Sequence, residues 1–288
     1  MDYVTEVTGG RGGSAFLVMG KEKTALLDCG MAYCAPALID NAKKILREKP
    51  LDYIMISHSH YDHSGAIPCL KQEWPAVKVL GAESAQRIFQ RPNALKTIRS
   101  LGEQAAELYG DGVLPSYDDA LLCVDRVVID GDRVDLGNVR VQVLETSGHT
   151  QCSLAFLING EILFASESTG YMTKAGNIYP SFIISGDAAL ASIRRCQHLN
   201  PRFIIAPHYG LVTEKDSRNY WERCRWAVEE TQTFILRLAE RGCTEEDILR
   251  QYEIQFRDDA ARAEQPLQAF RINTTHMIKT VLRESGIS

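Results

Sequence analysis

Apolar residues change their spacing several times along the chain, and each change predicts a different kind of element. The first three apolar runs, at 3–8, 14–19 and 24–28, are short and rich in β-branched or aromatic residues. They are separated by the glycine-rich segment 9–13 and by the polar segment 20–23. This spacing predicts three strands in an antiparallel meander.

The next part of the chain alternates between helical and extended patterns. Apolar positions recur at helical spacing over 37–46 and are followed by an apolar strand at 52–56. A second helix and strand are predicted at 64–74 and 77–80. The amphipathic segment 83–109 that follows predicts a helical insertion, divided into two helices near a proline.

Short strand patterns then return and predict a second meander, punctuated by Asp-Gly, Gly-Asn and Asn-Gly turns. The predicted strands lie at 122–129, 133–136, 139–145, 153–158 and 161–164. A helix at 187–199 and a strand at 203–206 come next, and the chain from 216 onward is almost wholly helical. In this last part, Thr244 to Asp247 resembles an N-terminal capping arrangement.

This order of elements predicts the fold class. Two similar halves, each a sheet with helices on one face, bury their inner sheet faces in an αββα sandwich. We expect one domain over 1–214, with the helical insertion at about 83–110, and a helical C-terminal extension over 215–288 that packs on it. No Pro- or Ser-rich linker divides the chain.

Composition and charge restrict the function classes. Of the 288 residues, 45% are hydrophobic and 24% charged, which is typical of a folded globular protein. A net charge of −5 with scattered basic residues disfavours nucleic-acid and anionic-membrane partners and favours a small-molecule substrate. No apolar stretch reaches the ~20 residues of a membrane span, and the eight cysteines form no CxxC pair. We therefore expect a cytoplasmic protein with reduced thiols, with a homodimer as one possible state.

A cluster of histidines follows directly on the strand predicted at 52–56. The segment 57–63 reads Ser-His-Ser-His-Tyr-Asp-His, and chance would produce His-x-His-x-Asp-His in only about 2 of 10,000 chains of this composition. His58 and His60 alternate in an extended segment, so both imidazoles point to one side and can bind one ion. Asp62 and His63 lie where the chain turns into a helix, which directs them toward a second ion.

Further candidate ligands lie at the ends of later strands. His149 follows the strand that ends at 145, and His208 follows the strand at 203–206. Glu167 again comes after a short apolar strand, and a carboxylate there could bridge two ions. These positions place His149 and His208 at the same sheet edge as the histidine cluster.

These motifs, in this order over about residues 3–212, resemble the metallo-β-lactamase superfamily. The resemblance implies the αββα fold and two metal sites, the first formed by His58, His60 and His149. It implies that Asp62, His63 and His208 form the second site and that Glu167 takes the bridging position. The overall layout also resembles the PqsE-like group of thioesterases, a similarity of architecture that does not transfer the substrate.

Two departures from the superfamily pattern stand out. The bridging residue is usually Asp, whereas Glu167 is one methylene longer. The last histidine is flanked by Pro207 and Tyr209 rather than by glycine, which brings Tyr209 close to the metals. Asp28 either orients a ligand histidine or caps a turn, and the sequence leaves both readings open.

The predicted function is metal-dependent hydrolysis of a small acyl compound, such as a thioester or lactone, by a metal-bound hydroxide. Asp62 orients the attacking water or accepts its proton, and Tyr209 is a candidate donor to the developing oxyanion. The expected cofactor is a pair of divalent metal ions, with zinc as the leading expectation and iron or manganese as alternatives.

The alternative functions are a di-iron redox protein of flavodiiron type, a phosphodiesterase, and a non-catalytic metal-containing sensor. Against the flavodiiron alternative, His60 stands where those proteins typically carry Glu.

Overall fold

The computed structural model describes residues 2–287, without the side chains of 263 and 264. The chain divides into two compact units. The first comprises Met1–Glu145 with Leu154–Gly160, and the second comprises Thr146–Ser153 with Glu161–Ser288. Each unit contains both strands and helices.

The first unit contains two groups of strands and a set of mostly short helices. Its strands are Val4–Glu6 (β1), Phe16–Met19 (β2), Thr24–Leu27 (β3), Tyr53–Met55 (β4), Lys78–Gly81 (β5), Arg126–Val127 (β6), Arg133–Asp135 (β7), Arg140–Glu145 (β8) and Leu154–Ile158 (β9). Its α-helices are Ala35–Leu46 (α1), Tyr61–Ser64 (α2), Ile67–Glu73 (α3), Glu83–Phe89 (α4) and Pro92–Tyr109 (α5), with 3₁₀ turns at Ala32–Cys34 and Asp119–Leu121.

The first sheet has the strand order β1-β2-β3-β4-β5-β6. β1, β2 and β3 form the predicted antiparallel meander, and β3 to β6 then pair in parallel. Parallel strands need a crossover, which α1 supplies from β3 to β4 and α3 from β4 to β5. Leu26, Leu27 and Ile54 are fully buried, as expected for strands covered on both faces. This sheet places the ends of β3 and β4 side by side, where the histidine cluster begins.

The second meander is confirmed, because β7, β8 and β9 pair antiparallel in sequence order. In β8, Val141, Val143 and Leu144 are buried and the other three residues are less buried, whereas all of β9 is buried. After β9 the chain turns at Asn159 and Gly160, both at positive φ, as the Asn-Gly pair predicts.

The strand predicted at 122–129 is wrong over most of its length. Only β6 is extended, and the segment before it begins with a 3₁₀ turn capped by the Asp118 side chain. The Asp125 carboxylate accepts hydrogen bonds from the Val79 amide, at 2.8 Å, and from the Lys71 ammonium. The hydrogen bond from the Val79 amide to the Asp125 side chain thus replaces part of the strand pairing here.

The second unit carries short strands and most of the long helices. Its strands are Ile162–Phe164 (β10), Tyr171–Met172 (β11), Ile178–Tyr179 (β12), Phe203–Ala206 (β13) and Gly210–Leu211 (β14). Its α-helices are Gly186–His198 (α6), Glu214–Ser217 (α7), Tyr220–Ala239 (α8), Glu245–Phe256 (α9), Asp259–Glu264 (α10) and Leu267–Glu284 (α11), with a 3₁₀ turn at Glu167–Thr169. The hairpin β11–β12 and the strand β14 were not predicted.

Strand pairing in the second unit is partly parallel. β10 pairs in parallel with β13 across α6, and β14 returns antiparallel to β13. The sheet to which these strands belong has the order β14-β13-β10-β9-β8-β7. Two six-stranded sheets flanked by helices agree with the predicted αββα class, which is confirmed.

The helical C-terminal region is also confirmed. α9 begins with a capping box, in which Thr244 accepts from the Asp247 amide and the Asp247 side chain accepts from the Thr244 amide. Helix α8 buries Tyr220, Cys224 and Ile235. The domain boundary proposed at residue 214 stays a prediction. Among residues 2–287, no helix combines the length and apolar character that crossing a bilayer requires.

Candidate metal centre

The histidine cluster begins two residues after β4 and continues into α2. His60 is the N-cap of α2, with an extended backbone (φ −68°, ψ 150°), and Asp62 and His63 lie in the first turn. The chain is therefore extended at the two alternating histidines and helical at the following pair, as the spacing predicts. The rings of His58 and His60 meet at 4.6 Å between centroids, and those of His58 and His63 at 4.2 Å.

A buried carboxylate at the end of β3 organises this cluster. Asp28 is fully buried at φ 51°, and its Oδ1 accepts a hydrogen bond from the Ser57 amide at 2.6 Å. Its Oδ2 accepts from the Ser57 hydroxyl at 2.7 Å. Because that hydroxyl donates to Asp28, it acts as acceptor for His58 Nδ1, 3.0 Å away. The proton of His58 then lies on Nδ1, and Nε2 carries the lone pair.

Asp28 also fixes His63. The His63 Nδ1 lies 2.7 Å from Asp28 Oδ2, and since a carboxylate accepts, the ring nitrogen donates. Nε2 of His63 therefore carries the lone pair, 3.7 Å from Oδ2 of Asp62. Of the two readings the sequence left open for Asp28, the structure supports the orientation of a candidate ligand histidine.

In the second unit, hydrogen bonds also hold the candidate ligands in position. The Ser181 carbonyl accepts from His149 Nδ1 at 2.6 Å, so Nε2 of His149 carries the lone pair. That Nε2 lies 3.2 Å from Glu167 Oε2, and the Ser181 hydroxyl donates a hydrogen bond to the same oxygen at 3.1 Å. Glu167 begins the 3₁₀ turn after β10 and is buried.

His208 follows β13 in a tight turn toward β14. It adopts a left-handed backbone (φ 63°), which is uncommon for a residue other than glycine. Its Nε2 lies 2.6 Å from Glu167 Oε1. Tyr171, in β11, packs edge-on against its ring at 5.9 Å between centroids. Residues held in sparsely populated backbone conformations cluster at functional sites, which is consistent with a functional role for His208.

The candidate ligand atoms form two groups, in each of which they lie within 4.8 Å of one another. The groups are His58, His60 and His149, and Asp62, His63, Glu167 and His208. The first offers three imidazole nitrogens, and the second offers two imidazoles and two carboxylates. These donors fit divalent zinc, iron or manganese, so the residues present suit a dinuclear metal site.

The structure thus gathers all seven residues predicted as ligands, while their binding of metal remains a prediction. Tyr209, predicted as an oxyanion donor, is half-buried, and its amide lies 3.4 Å from the Ala206 carbonyl. The tyrosine whose ring packs against the His208 ring is Tyr171. Sequence reasoning missed Ser181, because it lies in an irregular segment 32 residues from His149, the histidine it supports. Ser57 could have been found, since it directly precedes the motif.

A family model described as the metallo-beta-lactamase superfamily matches residues 8–165, more than half of the chain. The protein belongs to this superfamily. The resemblance drawn from the motifs is therefore confirmed, and with it the predicted enzyme class, a metal-dependent hydrolase of this superfamily.

Three relatives illustrate the range of similar proteins. The metallo-beta-lactamase fold-containing protein ST1585 of Sulfurisphaera tokodaii is 27% identical over 214 residues, covering 70% of this chain and 74% of the relative. Its solved structure matches with a TM-score of 0.58 at 23% identity, covering 76% of this chain and 85% of that chain. Hydroxyacylglutathione hydrolase of Ruegeria pomeroyi is 30% identical over 148 residues, which is 51% of this chain and 43% of the enzyme. Putative diflavin flavoprotein A 2 of a Synechocystis species is 30% identical over 103 residues, 34% of this chain and 18% of the relative.

Proposed function

We propose that this protein is a dinuclear metal-dependent hydrolase that acts on a small acyl substrate, a thioester or lactone. The observation that carries the proposal is the pair of ligand groups, one with three imidazoles and one with mixed imidazole and carboxylate donors. When bound, two divalent ions polarise a substrate carbonyl and lower the pKa of a water molecule, so that no side-chain nucleophile is needed.

The residues around the ligands prepare the site for this chemistry. Asp28 and Ser57 place the protons of His58 and His63 on Nδ1, and the Ser181 carbonyl does the same for His149. Each ring then presents Nε2 as its ligand atom. Such hydrogen bonds fix the orientation of a ligand and raise its basicity, so the site needs little rearrangement on binding metal.

Glu167 suits the bridging position. Its two oxygens face different histidines: Oε2 lies 3.2 Å from His149 of the first group, and Oε1 lies 2.6 Å from His208 of the second. The Ser181 hydroxyl donates to Oε2 and holds the carboxylate in place. With one oxygen facing each histidine, Glu167 would suit a bridging role although its side chain is one methylene longer than that of Asp.

Asp62 is the proposed proton acceptor. Its carboxylate is mostly buried but retains some exposure, 16% of the side chain, and lies next to the His63 ring. A carboxylate at this position can hold a water molecule by a hydrogen bond and take its proton. Tyr209 is the proposed hydrogen-bond donor to the substrate oxygen as negative charge develops.

The acyl substrate class rests on a relative and on the donor set. The name of the Ruegeria relative describes hydrolysis of an acyl–glutathione compound, which is a thioester. The diflavin relative would instead favour redox chemistry. This chain carries His60 in the first ligand group, giving three imidazoles, and a site of that composition suits zinc and hydrolysis.

Metal analysis combined with a substrate panel tests the proposal. The purified protein is analysed for metals and assayed with thioesters, lactones, simple esters and phosphodiesters. We expect about two metal ions per chain and hydrolysis of at least one acyl class. His58→Ala and His208→Ala should each reduce hydrolysis to background while leaving circular dichroism unchanged.

The matched control is His198→Ala. His198 is exposed at the end of α6, where its Nδ1 contacts the Arg194 carbonyl at 2.6 Å, so its loss should leave activity intact. Full activity in His58→Ala or His208→Ala would refute the corresponding ligand assignment. Two irons without hydrolysis of any acyl compound would replace the proposal with the di-iron redox alternative.

A further inference from the structure

A glycine-rich loop lies directly against the turn that carries two candidate metal ligands. The loop, residues 9–13, connects β1 to β2, and the Val7 amide donates to the Ala15 carbonyl at its base. A Cβ on Gly13 would lie 2.3 Å from the backbone oxygen of Asp62 and 3.2 Å from Cε1 of His63. Only glycine allows this approach, so the backbone of the loop and the ligand turn are in contact.

The position of the loop is fixed on its other side. A Cβ on Gly9 would lie 2.3 Å from the Cys34 carbonyl oxygen, so this glycine is also in close contact with its neighbours. The Tyr33 hydroxyl accepts from the Arg11 amide and donates to the Arg11 carbonyl, both at 3.0 Å. Burial raises the pKa of Tyr33 well above its usual range, so the phenol keeps the proton that it donates. The Tyr33 hydroxyl therefore holds both the backbone amide and the backbone carbonyl of Arg11.

The side chain of Arg11 extends from this fixed backbone and is exposed. Its guanidinium lies over the ring of Tyr109, 5.8 Å from the centroid. Tyr109 packs in one cluster with Tyr33 and Tyr61, the residue before Asp62. Burial raises the pKa of Tyr109, while the Arg11 charge opposes this rise and the Asp62 charge adds to it.

The backbone of Arg11 is thus fixed close to the ligand turn, and its exposed side chain carries a positive charge. Only Gly12 lies between Arg11 and Gly13, so the Cα atoms of these two residues are at most about 7 Å apart. Within the part of the chain that the structure describes, Arg11 forms no ion pair with an acidic side chain, whereas Arg87, Arg99 and Arg271 each do. A guanidinium held in this way has its donors available to a ligand.

We propose that Arg11 binds a carboxylate of the substrate, remote from the bond that is broken, and so selects acyl compounds with an acidic group. The inference rests on the proposed hydrolytic function and deepens it. One guanidinium matches the two oxygens and the single charge of a carboxylate by a bidentate pair of hydrogen bonds. The Tyr109 ring beneath the guanidinium limits its motion.

Kinetics with matched thioesters provides the first test. Succinyl, glutaryl and adipyl thioesters are compared with the butyryl, pentanoyl and hexanoyl thioesters of the same neutral thiol. In the wild type the acidic member of at least one pair should have the higher kcat/KM. Arg11→Ala should lower kcat/KM for that acidic substrate about tenfold, through KM, and change the neutral substrates less than twofold. Arg11→Lys should recover part of the loss in kcat/KM, because lysine restores the positive charge but cannot form the bidentate pair of hydrogen bonds.

The control is Arg133→Ala, which removes an exposed arginine from β7 of the same unit and should affect neither substrate class. Circular dichroism and the thermal midpoint of each variant report on folding. Equal losses for acidic and neutral substrates in Arg11→Ala, or no loss for either, would overturn the inference.

A binding measurement separates this inference from the proposed function. Isothermal titration calorimetry of the metal-loaded protein compares the diacids succinate, glutarate and adipate with the monoacids butyrate, pentanoate and hexanoate. Each diacid has the same number of carbon atoms as its matched monoacid and carries one more carboxylate. We expect tighter binding of a diacid in the wild type and loss of that preference in Arg11→Ala. If the protein hydrolyses none of the thioesters but keeps the preference, the hydrolytic proposal fails and the Arg11 site stands. If the wild type shows no preference, the Arg11 site is refuted.

Discussion

Asp28 controls the orientation of two candidate ligands through a single carboxylate. It accepts from the Ser57 amide and hydroxyl and from His63 Nδ1, and through the Ser57 hydroxyl it also determines the proton position on His58. All of these groups are buried. A charged acceptor stabilises a buried hydrogen-bond network more than a neutral acceptor does, because hydrogen bonds to charged groups are roughly twice as strong.

We therefore predict that Asp28→Asn weakens metal binding at the His63 group by about 10–100-fold. The amide is the same size but carries no charge and cannot accept from three donors with both of its polar atoms. Metal titration of the variant, with competition by a chelator of known affinity, measures the effect. Asp52→Asn is the control, because Asp52 accepts from the Thr24 amide at the opposite end of β3. Wild-type metal affinity in Asp28→Asn would show that Asp28 has only a folding role.

The sequence predicts individual site residues well where several of them belong to one local motif. His58, His60, Asp62 and His63 could be found because an extended segment followed by a helix start places them by spacing alone. Ser181 could not, since its carbonyl reaches His149 only through the fold of an irregular segment. Tyr171 against His208 is a contact of the same long-range kind.

At the scale of elements, the glycine loop and the long helix α5 show opposite uses of glycine. Gly13 lies against the Asp62 backbone, where a Cβ would be 2.3 Å from the carbonyl oxygen. Gly102 lies inside α5, where a Cβ would be 3.7 Å from Leu114, an ordinary contact. The first glycine is required by packing, and the second only lowers the stability of a helix.

Matched alanine substitutions should therefore have opposite signs. Gly13→Ala should lower the free energy of unfolding by about 1–3 kcal/mol, since backbone must move away from the new methyl group. Gly102→Ala should raise it by about 0.5–1 kcal/mol. Chemical denaturation followed by circular dichroism measures both changes. A Gly13→Ala variant as stable as the wild type would mean that the loop does not press on the ligand turn.

Element prediction succeeded where a pattern was long enough to show its period. The break between α4 and α5, the capping box of α9 and both meanders were predicted, because each depends on neighbouring residues. β11, β12 and β14 have two residues each, which is too short for any alternation to appear. The predicted strand at 122–129 failed because the Asp125 side chain took over backbone hydrogen bonds.

On the scale of the whole molecule, the candidate ligands are spread from residue 58 to residue 208 along the chain. A ligand set so distributed assembles only in the folded protein, so metal should bind the native state far more tightly than the unfolded chain. The stability of the protein is then coupled to metal binding through mass action. At a free metal concentration 100 times the dissociation constant, each ion adds about 2.7 kcal/mol.

We accordingly predict that removal of metal by a chelator lowers the thermal midpoint by several degrees, and that added zinc restores it. A change of 1 kcal/mol shifts the midpoint of a chain of 150–250 residues by about 2–4 °C, so even one ion should give a measurable effect. Differential scanning calorimetry of the metal-loaded, chelated and reconstituted protein checks this, with metal analysis of each sample. The chelator should shift His58→Ala less than the wild type, because that variant has already lost an imidazole from the first ligand group. An unchanged midpoint in a sample shown to be metal-free would mean that the ligand groups fold without stabilisation from metal.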